Sequence, residues 1–316
     1  MSHRNSYAVG FDIGGSSTKI GLVDSSGRII ESRQIPSDLL HDPQPFLNKL
    51  FLNIEELIHS CTHNEVLGIG MSLHGFLNDK GPIVSPYTPS LGGLDLLGMV
   101  RDYFKLPVVM NSDLVAHTLA EYYFGTGRGT NRFLCMAIGT GLGAGVVIDG
   151  KALKYTGGCP GDTGHIIIEP GGPECSMGCK GCAEALCGVA GIERLVKDRT
   201  GLDVPANVVI AGARDGNPEF VPIIEQIGDW LGIALASLSV IYLPQRIALS
   251  GGVAEAGPIL LNATKYRFYD LVGRYHTRIF EMTSALHQGV EIVLGKNRGQ
   301  SGVIGSVVEL FIADKL

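Results

Sequence analysis

One histidine and three cysteines lie close together in the second half of the chain. The run GDTGH ends at His165, and three cysteines follow it within 17 residues: Cys175, Cys179 and Cys182. One imidazole and three thiolates are a ligand set of closed tetrahedral zinc sites. The sequence therefore predicts that these four residues bind a structural Zn²⁺. The remaining cysteines are expected to be small buried hydrophobic residues: Cys61, Cys135, Cys159 and Cys187.

Three glycine-rich turns have the composition of nucleotide-binding loops. The first contains Asp12, Gly14, Gly15, Ser16, Ser17 and Thr18, the second Gly139, Thr140 and Gly141, and the third Gly251 and Gly252. Glycine lets backbone N–H groups approach phosphate oxygens without an intervening Cβ, and hydroxyls add donors. Asp12, at the end of a strand, is expected to hold Mg²⁺ directly or through water. An ordinary hairpin with a polar tip is the other interpretation of the first turn.

An acidic residue, Asp113, stands where a buried strand meets a helix. A carboxylate there can accept the proton of a substrate hydroxyl as that hydroxyl attacks phosphorus. As an N-cap or first-turn residue it can instead stabilise the positive end of the helix. The residues alone favour this second role, but both stay open. His74 and His117 have no motif around them and are expected to be structural, with His74 near a possible substrate loop.

The hydrophobic pattern alternates between strands and helices, which indicates an α/β protein. Strands are predicted near 7–11, 18–23, 29–35, 66–71, 106–110, 133–138, 144–148, 246–249 and 291–294. Helices are predicted at 43–60, 94–104, 183–198, 219–243, 258–272 and 300–313, with one more from a cap at Asn111 or Ser112 to Phe124. We expect an N-terminal domain at 1–112, completed by helix 300–316, and a C-terminal domain at 113–299 with a zinc-binding segment at 157–184.

Two stretches, 8–27 and 135–150, both show a strand, a glycine-rich turn, a second strand and a turn with Asp and Gly. This likeness indicates either an internal duplication, with a nucleotide between the two glycine turns, or two hairpins that are alike by chance.

The bulk composition excludes several classes of protein. The 316 residues suggest about two domains. With 25 Lys and Arg against 31 Asp and Glu, the net charge of −6 provides no basic excess for a nucleic-acid backbone. The N-terminus lacks an apolar signal segment, and the longest apolar run, 230–243, is too short to cross a bilayer. We expect a cytoplasmic protein that binds neither nucleic acid nor membrane.

In this order, the motifs resemble the ROK family of bacterial sugar kinases and repressors. The resemblance spans essentially the whole chain, in DIGGSSTKIG, Asp113, GTGLGAG, GDTGH with the cysteine cluster, LSGGV and GVIGSVVEL. It implies the two-domain actin/hexokinase-like (ribonuclease H-like) α/β fold, with a cleft between the domains. It also implies transfer of the γ-phosphoryl group of ATP, with Mg²⁺, to a hexose hydroxyl, usually O6. A homodimer or higher homo-oligomer is expected on the same ground.

The resemblance also implies roles for single residues. Asp113 matches the general base, His165 a residue that contacts both sugar and zinc, and Glu184 a sugar-binding carboxylate. The other residues expected at the sugar site are Gly75, Ser90, Asn111, Ser112 and Asp162. The three glycine turns match the nucleotide positions.

Several residues depart from the family pattern at the sugar and zinc sites. Asp162 replaces a Glu, Ser112 replaces the Asn before the base, and Ser90 replaces the Asn of a Pro-Asn pair. Met177 occupies the middle cysteine position, and Cys179 is extra. We expect Asp162 to alter sugar selectivity and Cys179 to replace the missing zinc ligand. The alternative to the second expectation is a three-ligand or metal-free site in which the loop is merely packed.

The sugar and the catalytic competence stay open at this point. Glucose is the first candidate by family frequency, and N-acetylmannosamine, allose, fructose and glucosides are alternatives. A catalytically weak or silent sugar-binding protein of the same family is a rival. A repressor would carry an N-terminal helix-turn-helix, for which a first strand near Tyr7 leaves no room. A polyphosphate-dependent kinase is a further rival, but the cysteine cluster favours the ATP-using branch of the family.

Overall fold

The computed structural model describes residues 6–61, 66–84, 88–154, 161–283, 289–297 and 299–313. The chain divides into two compact units. The first contains the described residues of 6–125, 152–154 and 300–313, and the second those of 126–151 and 161–299. The boundary follows Gly125, so the helix that begins at Asp113 belongs to the first unit. Cys159 and the start of the expected zinc-binding segment, 157–160, lie outside the described residues.

The elements alternate along the chain as the sequence predicts. The first unit contains β1 (Tyr7–Ile13), β2 (Ser17–Asp24), β3 (Ile29–Pro36), α1 (Gln44–His59), β4 (Val66–Leu73), β5 (Phe76–Leu77), β6 (Pro82–Val84), α2 (Leu96–Phe104), β7 (Val108–Ser112) and α3 (Asp113–Phe124). Then follow β8 (Arg132–Ile138), β9 (Leu142–Ile148), β10 (Lys151–Ala152), α4 (Ala183–Cys187), α5 (Val189–Thr200), α6 (Ala206–Arg214), α7 (Val221–Tyr242), β11 (Arg246–Ser250), α8 (Pro258–Val272), α9 (Tyr275–Thr283) and β12 (Glu291–Leu294). Finally, α10 (Ser301–Ser306) and α11 (Val308–Ile312) return to the first unit.

The sheet of the first unit has the order β3-β2-β1-β4-β7. The strands β1, β2 and β3 are antiparallel neighbours, whereas β1, β4 and β7 run parallel. The register pairs Asp12 with Ser72 and Leu73 with Ser112. The carboxyl ends of the three parallel strands therefore lie at one edge of the sheet.

Helices cover both faces of this sheet. Val9 and Phe11 of β1 pack into a core with α1 and α2, while the alternate residue Ala8 packs with Val303 of α10. Gly10 allows α10 to approach, because a Cβ there would lie 2.3 Å from the carbonyl oxygen of Val303. Burial on both faces explains why these strands appear in the sequence as continuous apolar runs.

The sheet of the second unit repeats this plan. Its order is β10-β9-β8-β11-β12, with β8 and β9 antiparallel and β8, β11 and β12 parallel. The shared order and directions support the internal duplication over a chance likeness of two hairpins. The α/β architecture predicted from the sequence is confirmed.

Among the described residues, one helix, α7, is long and apolar enough to cross a membrane. Its apolar window is 61% buried within the protein, and it packs along α8. Gly228 allows this contact, since a Cβ there would lie 2.6 Å from that of Ala263. The burial is typical of a core helix.

Candidate functional site

The carboxyl edge of the first sheet brings several polar side chains together. Oδ1 of Asp12, on β1, accepts a 2.6 Å hydrogen bond from the hydroxyl of Ser72 on β4. His74 and Asp113 follow the paired residues at the ends of β4 and β7, and Nδ1 of His74 lies 3.0 Å from Oδ2 of Asp113. The sequence predicted Asp12 and Asp113 as site residues but not Ser72 or His74.

Asp113 is the first residue of α3 but not its N-cap. The N-cap is Ser112, whose hydroxyl accepts from the N–H of Val115 at 3.4 Å. Oδ1 of Asp113 accepts from the N–H of Leu114 at 2.8 Å. Burial opposes its ionisation, but the hydrogen bond and charge of His74, with further attraction from His117, outweigh this and lower the pKa of Asp113. A lowered pKa favours the ionised carboxylate of Asp113 at neutral pH.

The pKa of Asp12 is shifted in the opposite direction to that of Asp113. Burial raises the pKa of Asp12, and the nearby charge of Asp113 raises it further. His117 and the hydroxyl of Ser72 act against this shift. Carboxylate oxygens are the hard ligands that Mg²⁺ prefers, and a cation would offset the burial that disfavours the charged form of Asp12. The chemistry of this residue thus fits a magnesium ligand.

Two residues expected at the sugar site are engaged inside the first unit. Asn111 is buried, and its Nδ2 donates to Glu309 of α11 at 3.1 Å. Ser112 is also buried and caps α3. Neither side chain is exposed for a direct sugar contact.

The other two expected sugar residues of this unit lie in its loops. Gly75 follows His74 with a φ of 102°. Ser90 lies in a short 3₁₀ turn, and its buried hydroxyl has no hydrogen-bond partner within the described part of the chain.

The first glycine turn joins β1 to β2. The N–H of Gly14 donates to the carbonyl of Ser17 at 3.2 Å, while Gly15 and Ser16 are exposed at the tip. Thr18 is different, because it is buried and its hydroxyl lies 2.7 Å from that of Ser37. Side chains alternate along β2, so the hydroxyl of Thr18 is directed inward and does not fit the predicted role of a nucleotide donor.

The second glycine turn joins β8 to β9. The N–H of Gly139 donates to the carbonyl of Gly141 at 2.8 Å, and Thr140 is exposed. Glu184 supports the turn, because its Oε2 accepts from the N–H of Leu142 at 3.1 Å. One of the expected sugar ligands is therefore attached to one of the expected nucleotide turns.

The third glycine turn follows β11. Gly251 has a φ of 85°, and a Cβ there would lie 2.3 Å from the carbonyl oxygen of Ile138. Gly252 faces open space, because no atom of the described residues lies within 4 Å of the position that its Cβ would occupy. Gly251 is thus required for packing, and Gly252 provides an accessible backbone.

The two nitrogens of the His165 ring face different groups. Nδ1 faces the thiols of the cluster, with sulfur atoms at 3.6, 3.4 and 3.7 Å for Cys175, Cys179 and Cys182. Nε2 faces two carboxylates, at 3.6 Å from Asp162 and 3.9 Å from Glu184. The ring thus connects the cysteine cluster to the acids expected to bind sugar.

The ligand atoms of the predicted zinc site converge. Nδ1 of His165 and the three sulfur atoms lie within 4.8 Å of one another. Cys179 lies in this group, whereas the side chain of Met177 is 64% exposed. Burial raises the pKa of Cys175, but hydrogen bonds from Cys179 and Met177 outweigh this effect and lower the pKa to about 7. One imidazole and three thiols at this spacing fit Zn²⁺.

Known proteins resemble the chain over most of its length. The model of the ROK family matches residues 8–308. The glucokinase of Halalkalibacterium halodurans is 28% identical over 286 residues, which are 85% of this chain and 86% of that protein. The DNA-binding transcriptional dual regulator NagC of Escherichia coli is 29% identical over 275 residues, which are 82% of this chain and 67% of NagC.

A solved structure shares the fold. The ROK hexokinase from Thermus thermophilus matches with a TM-score of 0.80 at 24% identity, over 98% of this chain and 99% of that chain. This likeness confirms the predicted hexokinase-like α/β fold.

Proposed function

Since the chain belongs to the ROK family, we propose that it is an ATP-dependent sugar kinase that phosphorylates a hexose hydroxyl. Glucose, at O6, is the first acceptor to test, because a glucokinase is among the similar proteins. We further propose a cytoplasmic homodimer or higher homo-oligomer, on the resemblance alone.

The observation that carries the proposal is the position of the Asp113 carboxylate at the edge where three parallel strands end, held there by the N–H of Leu114 and by His74. In the proposed reaction, the hexose hydroxyl oxygen attacks the γ-phosphorus of ATP and its proton passes to Asp113. The new P–O bond forms as the bond between the γ-phosphorus and the leaving oxygen of ADP breaks. A low pKa keeps Asp113 ready to accept the proton at neutral pH.

The glycine turns are proposed to hold the nucleotide. The exposure of Gly15, Thr140 and Gly252 supports this role, because phosphate oxygens need open access to the backbone N–H groups of such turns. Asp12 is proposed as the protein ligand of Mg²⁺, directly or through water. The cation would supply charge neutralisation of the phosphates.

The sugar is proposed to contact His165, Glu184 and Asp162, with Gly75 and Ser90 as further candidates from the first unit. The support is the pair of carboxylates beside Nε2 of His165, since carboxylates and imidazoles are good partners for sugar hydroxyls. Zn²⁺, held by His165, Cys175, Cys179 and Cys182, would fix the ring from its Nδ1 side. The metal is structural in this proposal and takes no part in phosphoryl transfer.

The direct test is ADP release with ATP and Mg²⁺ over a panel of hexoses and N-acetylhexosamines. Asp113→Asn is expected to lower kcat by about 10²- to 10⁴-fold while nucleotide binding is retained. Asp102→Asn makes the same chemical change at an exposed position of the same unit and is expected to match the wild type. Near-normal turnover by Asp113→Asn would remove the base assignment.

A sugar-binding protein without kinase activity is the second candidate. It is favoured by the burial of Asn111 and Ser112, which leaves the sugar fewer polar partners in the first unit, and by the resemblance to a transcriptional regulator. Calorimetric hexose binding without ADP release for any sugar of the panel would support it.

A further inference from the structure

The imidazole of His74 contacts the proposed base directly, through Nδ1 at 3.0 Å from Oδ2 of Asp113. We propose that His74 is a positioning residue of the phosphoryl-transfer site. Its Nδ1–H donates to Oδ2 and fixes the orientation of the carboxylate that receives the hydroxyl proton. This inference rests on the proposed function, because it assigns a role within the same site.

The contact follows from the register of two parallel strands. Leu73 of β4 is paired with Ser112 of β7, and each is the last residue of its strand. The next residues, His74 and Asp113, therefore leave the sheet side by side at its carboxyl edge. No irregularity in this ladder separates them, so the backbone itself brings the ring to the carboxylate.

The two oxygens of Asp113 are held from two directions. Oδ1 accepts from the N–H of Leu114 at 2.8 Å, and Oδ2 accepts from His74. The terminal torsion of an aspartate is broad, so one hydrogen bond leaves the carboxylate plane poorly defined. Two donors define it, and each oxygen keeps lone-pair capacity for the hydroxyl proton.

The surroundings of His74 differ from those of a structural histidine in the same chain. His276 is buried, stacks on Phe268 and lies 3.0 Å from the hydroxyl of Ser239. By contrast, the side chains of His74 and Asp113 are 37% and 32% exposed. The His74–Asp113 pair is therefore accessible from solvent, as a substrate-facing pair must be.

The chemistry of the donor indicates which variant keeps the role. Both the neutral Nδ1–H tautomer and the imidazolium of His74 donate from Nδ1. The side-chain amide of an asparagine can place an N–H near the position of Nδ1, whereas alanine supplies no donor. His74→Asn is therefore the conservative variant and His74→Ala the disruptive one.

The test compares His74→Ala, His74→Asn and the exposed-site control His59→Ala in steady-state kinetics on the best hexose of the panel. We expect His74→Ala to lower kcat by about 10- to 100-fold, because misplacement of a reacting group by about 1 Å costs about 10²-fold. KM for ATP and the unfolding midpoint are expected to stay near wild-type values. His74→Asn is expected to recover most of the lost kcat.

Two outcomes separate this inference from the proposed function. If the wild type is active and His74→Ala keeps its kcat, or if His74→Asn is as slow as a folded His74→Ala, the positioning role is overturned and the kinase stands. If the wild type releases no ADP with any sugar, the kinase is overturned and the inference with it. Should His74→Ala fail to fold, the ratio of kcat between His74→Asn and the wild type decides, and a loss of tenfold or more overturns the role.

Discussion

Oε2 of Glu184 accepts a 3.1 Å hydrogen bond from the backbone N–H of Leu142, the first residue of β9. The same carboxylate lies 3.9 Å from Nε2 of His165. Glu184 therefore links the second glycine turn to the histidine proposed to bind sugar.

Glu184→Gln is expected to weaken the binding of both substrates. A hydrogen bond to a charged group contributes about 1.5–3 kcal/mol, so the KM for hexose should rise by about 10- to 100-fold. The KM for ATP should rise by a smaller factor, since the turn loses a charged acceptor. Glu219→Gln, at an exposed position of the same unit, is the control in these kinetics. A change confined to the hexose would contradict the link to the turn.

Zinc is expected in metal-replete protein at one ion per chain, measured by elemental analysis. Cys179→Ser should lower the zinc content, because it removes one of four convergent ligands. Met177→Ser changes an exposed side chain two residues earlier and should retain the metal. Removal of zinc by a chelator should weaken hexose binding before it lowers the unfolding midpoint, because the second unit has its own core. Zinc-free native protein would contradict the site, and full occupancy in Cys179→Ser would contradict only the role of Cys179.

Asp24, at the end of β2 where the turn to β3 begins, is expected to make a pH-dependent contribution to stability. Burial acts against the charge of Asp24, but hydrogen bonds from Ser26 and Arg28 outweigh it and lower the pKa of Asp24. A lowered folded pKa stabilises the protein above the unfolded pKa of about 3.9. This contribution is lost as the pH falls through the lower, folded value.

Asp24→Ala should therefore lower the free energy of unfolding by about 2 kcal/mol at pH 7. The difference from the wild type should shrink as the pH falls below about 4. Urea denaturation at several pH values measures it, with the exposed Asp38→Ala as control. A difference that stays constant with pH would show that the carboxylate charge is not its source.

Two adjacent glycines are expected to respond differently to the same substitution. Gly251→Ala should lower the free energy of unfolding by about 2 kcal/mol or more, because φ is positive and the carbonyl of Ile138 blocks the methyl group. Gly252→Ala adds its methyl group to open space and should leave stability unchanged. If this turn binds nucleotide, Gly252→Ala should still raise the KM for ATP. Thermal unfolding and ATP kinetics on both variants check the contrast.

Periodicity predicted most of the fold because the central strands of both sheets are largely buried and are flanked by turn residues. The strand β12 was predicted at its observed bounds, and α8 likewise. Two helices, α6 and α9, were missed: α6 is only nine residues long, and α9 buries a single side chain, that of His276. The helix predicted at 183–198 is divided at Gly188 into α4 and α5, and the closing helix is divided at Val307. Breaks of this kind depend on packing, which the pattern of one segment does not contain.

The candidate site, too, was only partly predictable from the sequence. The convergence of His165 with the three cysteines was predictable because their spacing is local and their chemistry is specific. Two other features were not predictable. The orientation of Thr18 depends on which face of β2 is buried, and the burial of Asn111 depends on its contact with Glu309, 198 residues away. His74 was taken as structural because its partnership with Asp113 depends on the pairing of β4 with β7. These two residues are brought together only by the register of two strands that lie far apart in the sequence.

The first unit is built from segments at both ends of the chain, and this arrangement has a consequence for biosynthesis. The sheet that carries Asp12 emerges from the ribosome early, but α10, which covers Ala8 and Gly10, is translated only after the whole second unit. Until then, one apolar face of the nascent sheet lacks its helix. The first unit, which carries the proposed base, can therefore complete its core only after the second unit has been synthesised.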